Sequence, residues 1–132
     1  MPTVLVVDAS VIAPAVADGG EDGQALRVRL KGEALAAPDL LRIEVMSVLR
    51  RQARTGSLTA VESNAAIDDL LALPISIFPT GPLLHRMWAL RDNLTAYDAN
   101  YIALAEALAC PLLTADTRLA GSPGPHCAIE VV

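Results

Sequence analysis

The stretch that decides the fold is TAYDANYIALAEALACPLLTAD, residues 95–116. Residues 95–109 carry apolar side chains almost all round a helix, and such a helix belongs in the centre of a protein. The PLLT that follows favours a short buried strand at residues 112–114. A buried helix that leads directly into a buried strand is typical of a parallel α/β sheet.

The rest of the chain repeats this alternation of short β-like runs and helix-like stretches, which indicates βαβ units with right-handed crossovers. Gly56 ends one helix, and a capping box of Thr59 and Glu62 begins the next, so these two helices should form a hairpin. The predicted strands are residues 3–7, 34–37, 75–78, 112–114 and 128–131. The predicted helices are one from about Ser10 and those at residues 22–31, 40–54, 59–73, 82–91 and 95–109.

Size and composition indicate a single domain over residues 1–132. The chain is 53% hydrophobic and 19% charged, which is too apolar for a disordered chain. No apolar run approaches the roughly 18 residues that span a bilayer, and the N-terminus lacks the basic flank of a signal peptide. We therefore expect a cytoplasmic protein with no membrane partner.

The motifs exclude several kinds of site. Cys110 and Cys127 have no CxxC motif around them, so we expect two small core residues and neither a disulfide nor a zinc site. His85 and His126 are the only histidines, and the absence of Gly-x-Ser-x-Gly argues against a hydrolytic triad. The phosphate-binding motifs GxGxxG and GxxxxGK[ST] are also missing. Chemistry in this chain must therefore come from carboxylates.

Two aspartates follow predicted strands. Asp8 ends the first strand in VVDAS, and Asp116 follows the strand PLLT. In an open parallel sheet, ligands bind at the carboxyl edge of the strands, where both carboxylates are expected. The alternative for each aspartate is an ordinary helix N-cap.

Two further acids lie on predicted helices. Glu44 falls on the rim of an apolar helix stripe, where a charge needs a cation, a hydrogen-bond network or protonation. Alternatively, Glu44 bends out to solvent or pairs with a nearby arginine. Asp98 shares a face of its helix with Ile102 and Ala109, although Thr95 and Asp98 also fit the capping pattern [ST]-x-x-[DE].

Chain geometry predicts that Asp98 and Asp116 lie at one level. The helix at 95–109 descends ~22 Å at 1.5 Å per residue, and the extended return over 111–115 rises ~17 Å at 3.3 Å per residue. A shared acidic pocket is therefore more economical than four coincidental caps. Carboxylates at close range repel each other and become stable together around hard, oxygen-seeking cations. The residues thus indicate magnesium, for which manganese can substitute.

The motifs VVDAS, YDANYIALAEAL and PLLTAD, with Glu44 in the helix after a proline-containing turn, resemble a PIN-domain ribonuclease of the VapC toxin type. The resemblance covers nearly the whole chain. It implies a PIN-like three-layer α/β fold whose five-stranded parallel sheet is flanked by helices. It also implies an acidic quartet that binds metal and catalyses, beside two small hydroxyl residues that hold a metal-bound water or a carboxylate. The quartet is Asp8, Glu44, Asp98 and Asp116, and the hydroxyl residues are Ser10 and Thr114.

The activity implied by the resemblance is magnesium-dependent endonucleolytic cleavage of RNA by an activated water, without a covalent intermediate. Asp8, Asp98 and Asp116 are expected as direct or water-mediated ligands, and Glu44 either binds metal or orients the attacking water. The resemblance also implies the toxin of a type II toxin-antitoxin module. The expected partners are an RNA substrate, a VapB-like antitoxin whose Arg or Lys reaches the acids, and a second copy in a homodimer and a toxin-antitoxin hetero-oligomer.

A net charge of −5 argues against an RNA enzyme, because phosphate binding usually depends on Lys and Arg. Bound divalent ions would offset part of that charge. Arg50 and Arg54 fall opposite the apolar stripe of their helix and Arg51 lies beside Glu44, so these three are either phosphate contacts or solvated surface charges. With only four aromatic residues, a base-stacking platform is not expected, and recognition of a folded or specific RNA shape fits better than sequence-tolerant binding of a single strand.

Two other functions are less well supported. A phosphohydrolase of the haloacid dehalogenase type, with Asp8 as nucleophile, would need a second aspartate where this chain has Ser10. It would also need a catalytic lysine, and the only lysine is Lys31. A catalytically silent PIN-like module that binds RNA or protein would typically have lost one or more of the acids, and none is missing here.

Overall fold

The structure, a computed structural model, describes residues 4–132. Its strands are β1 (Val4–Val7), β2 (Ala34–Pro38), β3 (Ile75–Phe78), β4 (Leu112–Thr114) and β5 (Ile129–Val131). They form one parallel sheet in the order β3-β2-β1-β4-β5, which confirms the expected five-stranded sheet. Thr3, the predicted start of the first strand, lies outside the described residues.

Seven helices flank the sheet in the part of the chain that the structure describes. They are α1 (Ala9–Ala17), α2 (Glu21–Leu30), α3 (Leu40–Thr55), α4 (Ala60–Ala72), α5 (Leu84–Ala89), α6 (Ala96–Ala107) and α7 (Thr117–Ala120). Helix α1 packs against α2, α3 and α4, while α6 packs on β1, β2 and β4 with α5 beside it. Within residues 4–132, no helix is both long and apolar enough to span a bilayer.

The core surrounds β1 and α6, as the apolar segments predict. Leu5, Val6 and Val7 are each at most 1% exposed, because strands flank β1 on both sides and helices cover its faces. In α6, residues 99–105 are all buried. Helix α6 is therefore the central helix predicted from its all-round apolar sequence.

Local capping sets the predicted α3–α4 hairpin. Gly56 adopts the left-handed φ of 83° that ends α3. The Thr59 hydroxyl then accepts the Glu62 N–H at 3.1 Å, and the Glu62 carboxylate accepts the Thr59 N–H at 2.9 Å. Both halves of the predicted capping box are present, so α4 begins where the sequence places it.

Two helices are shorter than the sequence predicts. Helix α6 ends at Ala107, because Ala109 turns the chain with a left-handed φ of 51° and the Cys110 N–H donates to the Ala105 carbonyl at 3.0 Å. The segment predicted as one helix at 82–91 is a 3-10 turn, Gly81–Leu83, followed by α5. In that turn the Leu83 N–H donates to the Thr80 carbonyl at 2.8 Å, so the tighter bond replaces the first α-helical turn.

The two cysteines form no disulfide. Cys110 and Cys127 are partly buried and pack against the edge of the core. They are therefore less enclosed than the core positions predicted from the sequence, and burial raises the pKa of both thiols.

Candidate active site

Asp8 lies at the carboxyl end of β1, beside the end of β4. The Thr114 hydroxyl donates to Asp8 Oδ2 at 2.5 Å, and the Ser10 hydroxyl donates to Oδ1 at 2.5 Å. The Ser10 N–H also donates to Oδ1 at 3.1 Å, which makes Asp8 the N-cap of α1. The Ser10 hydroxyl in turn accepts the Ala115 N–H at 2.8 Å. Ser10 and Thr114 therefore hold the Asp8 carboxylate. Asp8 caps α1 and also belongs to the candidate site, so the two interpretations are compatible.

Glu44 lies half-buried in the second turn of α3, on the predicted rim of the apolar stripe. The Tyr101 hydroxyl donates to Glu44 Oε1 at 2.6 Å. Tyr101 comes from α6 and is 2% exposed. The alternative of an arginine partner is wrong, because the ion pairs of residues 4–132 do not include Glu44. Tyr101 was not predicted as a site residue from the sequence, although it follows Asp98 by nearly one helical turn.

Asp98 and Asp116 each begin a helix. Asp98 is the third residue of α6, and its N–H donates to the Thr95 hydroxyl at 3.1 Å, so Thr95 caps this helix as predicted. The Asp98 side chain stays half-buried. Asp116 accepts the Arg118 N–H at 3.0 Å as the N-cap of α7. Asp116 also pairs with the Arg118 guanidinium at 3.1 Å, and the Arg118 side chain is 88% exposed.

The pKa shifts connect the four acids electrostatically. Burial raises the pKa of Asp8 more than its hydrogen bonds lower it. Burial also raises the pKa of Glu44, and repulsion from Asp8 and Asp98 adds to the rise. The pKa of Asp98 is raised by burial and then by repulsion from Asp116. Hydrogen bonds from the Arg118 side chain lower the pKa of Asp116. Glu44 is thus repelled by Asp8 and Asp98, and Asp98 is repelled by Asp116, so the four predicted acids are linked pairwise.

The donor set fits a hard cation. The groups available are carboxylates and hydroxyls, which suit magnesium or manganese better than zinc or copper. Within residues 4–132, no three Asp, Glu, His or Cys side chains converge closely enough to hold an ion as they stand. Asp8, Glu44 and Asp116 each contact a protein partner instead. Because Arg118 is so exposed, its contact with Asp116 is easily exchanged for another cation.

A cleft of about 420 Å³ opens beside Glu44. Its walls come from α3 and the start of α6, and they include Ile43, Arg51 and Tyr97. Arg51 therefore lies near Glu44, as the helix spacing predicts. Tyr97 was not singled out from the sequence, although it precedes Asp98 directly.

The fold and this edge define a class of protein, namely a parallel α/β protein whose candidate functional acids lie at the carboxyl edge of the sheet. The family model described as the PIN domain matches residues 5–122. The chain belongs to the PIN-domain family.

Two relatives from Mycobacterium tuberculosis H37Rv are similar over almost their whole length. Ribonuclease VapC1 is 43% identical over 128 residues, which is 96% of each chain. Ribonuclease VapC9 is 42% identical over 129 residues, which is 98% of each chain. The resemblance to VapC ribonucleases that the sequence motifs carry is thereby confirmed.

Solved structures agree with this fold. PAE2754 from Pyrobaculum aerophilum superposes with a TM-score of 0.73 at 24% identity, covering 98% of this chain and 84% of that one. VapBC2 from Rickettsia felis, bound to a promoter DNA fragment, gives 0.67 at 14% identity over 98% and 99%. A toxin-antitoxin complex from Klebsiella pneumoniae gives 0.61 at 21% identity over 96% of each chain. These likenesses establish the architecture alone.

Proposed function

We propose that this protein is a magnesium-dependent endoribonuclease and the toxin of a type II toxin-antitoxin module. The observation that carries the proposal is the position of Asp8 and Asp116 just after the adjacent parallel strands β1 and β4, with Glu44 repelled by Asp8 and Asp98 repelled by Asp116. The names of VapC1 and VapC9 as ribonucleases support RNA as the substrate.

Each acid has a role in this proposal. Asp8, Asp98 and Asp116 hold the magnesium ion directly or through water, and Glu44 is either a further ligand or orients the attacking water. Ser10 and Thr114 fix the Asp8 carboxylate through both of its oxygens. When bound, magnesium lowers the pKa of its water and neutralises charge on the phosphoryl oxygens.

A VapB-like antitoxin is the proposed partner. Support comes from the Klebsiella pneumoniae structure, whose own description is a toxin-antitoxin complex. We place a basic antitoxin side chain against the four acids, where it would compete with magnesium. Homodimer formation and the toxin-antitoxin hetero-oligomer belong to the same proposal, and light scattering of each purified species would test them.

The test of the activity is RNA cleavage by the purified chain, mapped on total cellular RNA with magnesium, manganese or a chelator. We expect cleavage with either ion, none with chelator, and a loss of at least 100-fold in Asp98→Asn, since catalysis through a metal needs the ligand charge. Asp92→Asn is the matched control, because Asp92 is exposed and outside the site.

Undiminished cleavage by Asp98→Asn would contradict the assignment of the site. RNA binding by the wild type without cleavage under any of these ions would instead identify the silent PIN-like module.

A further inference from the structure

The nine arginines divide into two groups. The five outside α3 each have a partner within the molecule: Arg27 main-chain carbonyls, Arg29 two glutamates, Arg86 Glu106, Arg91 the Trp88 ring, and Arg118 Asp116. The four on α3 make no side-chain hydrogen bond, ion pair or ring contact with any described residue. These four are Arg42, Arg50, Arg51 and Arg54.

Two of the unpaired arginines, Arg51 and Arg54, share one side of α3 with Glu44 and form a row along it. At about 100° per residue, Arg51 lies about 20° from Glu44 around the helix and Arg54 about 80°, whereas Arg50 lies about 120° away. At 1.5 Å per residue, Arg51 lies ~10 Å beyond Glu44 along the axis. Arg42 points to the other side, so it provides an internal comparison.

The cleft beside Glu44 joins this arginine row to the acids. Tyr97 is 61% exposed and Ile43 is 67% exposed, although both are large apolar side chains next to a charged site. Glu44 and Arg51 line the same cleft two helical turns apart. The aromatic ring of Tyr97 and the free guanidinium of Arg51 in one cleft match one nucleotide. The base of that nucleotide stacks on the ring, and its phosphate pairs with the guanidinium.

We propose that the cleft and the arginine row hold the single-stranded RNA that flanks the cleaved phosphodiester. Tyr97 stacks the neighbouring base, Arg51 binds the next phosphate, and Arg54 binds a phosphate farther along α3. This inference rests on the proposed function and assigns its substrate path. It also locates the positive charge that a protein of net charge −5 needs for binding RNA.

RNA is favoured over an acidic protein surface because the arginine row runs directly into the acidic quartet. An acidic peptide lying along the row would bring more carboxylates beside those of Glu44 and Asp98, and like charges at close range repel. A nucleic acid strand instead brings a phosphate to the place where a metal would sit. If a protein partner occupies this surface instead, the arginine variants will keep their RNA affinity and lose that partner.

Binding is measured in the full-length Asp98→Asn background, so that a fluorescent single-stranded RNA is not cut. In that background, Arg51→Gln with Arg54→Gln should weaken binding at least tenfold at low salt. The slope of log K against log salt should fall by about 0.7 for each phosphate that an arginine no longer neutralises. Arg42→Gln removes one charge from the same helix, as each single substitution of the double variant does, and should leave both quantities unchanged.

Tyr97 is tested separately. Tyr97→Leu should weaken binding about tenfold without changing the salt slope, because stacking is not electrostatic. Tyr97→Phe should restore wild-type affinity. With the active enzyme, the arginine variants should raise KM and leave kcat nearly unchanged, since they lie away from the reacting atoms.

Equal RNA affinity and salt slope in the arginine double variant and in Arg42→Gln would overturn the inference. The inference would also be overturned if the arginine variants bound RNA with unchanged affinity and lost only the binding of a protein partner. The proposed function is tested separately. If the wild type does not cleave RNA but the arginine variants still bind RNA more weakly, the proposed nuclease activity is wrong and the proposed RNA path is retained.

Discussion

The Asp8 carboxylate accepts three hydrogen bonds from Ser10 and Thr114, and its pKa is nevertheless raised because burial at the end of β1 outweighs them. Protein donors alone therefore do not offset the cost of burying this charge. Glu44 has the same imbalance with one donor, Tyr101. At the scale of single residues, Asp8 and Glu44 are therefore anions that lack part of their stabilisation.

Replacing Tyr101 by Phe should move the pH dependence of cleavage. The Tyr101 hydroxyl bond lowers the pKa of Glu44, so its removal raises that pKa further above the ordinary value. At any pH near the pKa, a smaller fraction of Glu44 is then ionised. We expect the acidic limb of the kcat/KM profile to shift to higher pH, with the loss greatest at low pH and fading as the pH rises.

Tyr97→Phe is the control for this prediction, because Tyr97 is exposed and makes no bond to Glu44. An equal loss at every pH in Tyr101→Phe would show that the hydroxyl matters for packing and not for the ionisation of Glu44.

At the scale of elements, the close junction of α1 and α2 depends on Gly23. A Cβ at this position would lie 1.9 Å from the Asp18 carbonyl oxygen, a distance that no real contact tolerates. The same oxygen accepts a hydrogen bond from Arg27 at 2.7 Å. Helix α2 therefore rests on the backbone at the end of α1, and this contact needs a residue without a side chain.

Gly23→Ala should destabilise the protein although the same change stabilises most helices by about 1 kcal/mol. The backbone shift needed to relieve the clash should cost about 1–3 kcal/mol, as overpacking does elsewhere. Urea denaturation measures the change in the free energy of unfolding. Gly19→Ala is the comparison, since nothing lies within 4 Å of a Cβ there. A stabilised Gly23→Ala variant would contradict the close junction.

The sequence predicts elements well where their signals are local. The α3–α4 hairpin follows from Gly56 and the Thr59 capping box, and Asp8 and Asp116 reach the sheet edge because each closely follows a strand. The left-handed turn at Ala109 is not predictable in this way, because the return of the chain into β4 imposes it on an ordinary alanine.

Contacts between residues that are distant in the chain also cannot be predicted from local sequence patterns. The bond between Tyr101 and Glu44 joins residues 57 positions apart and depends on how α3 and α6 pack. The pairing of five arginines, which leaves those of α3 free, is likewise a property of the folded molecule. The placement of the four acids could be predicted, and their roles in metal binding and catalysis stay predictions.

For the whole molecule, bound metal should act as a stabilising ligand. The pKa values of Asp8, Glu44 and Asp98 are raised in the folded state, so the contribution of these three groups to stability is lost as the pH rises through the window between their unfolded and folded pKa values. At neutral pH a cation relieves this repulsion. Magnesium at 100 times its Kd should add about 2.7 kcal/mol and raise Tm by several degrees.

The matched variant is Asp8→Ala with Asp116→Ala, which should show no magnesium-dependent rise in Tm. A single Asp92→Ala change should keep the full rise. Equal rises in the wild type and the double variant would place the bound metal elsewhere.

The sheet order has a consequence for the newborn chain. Strand β1 lies at the centre of the sheet, and Val6 pairs with Leu112 of β4, more than a hundred positions later. Asp8 therefore leaves the ribosome first among the four acids and Asp116 last, after a delay on the order of ten seconds at ordinary rates of synthesis. A polypeptide released before β4 leaves β1 unpaired on one side and lacks a complete set of acids. Prematurely terminated translation of this gene would thus yield fragments that leave cellular RNA intact.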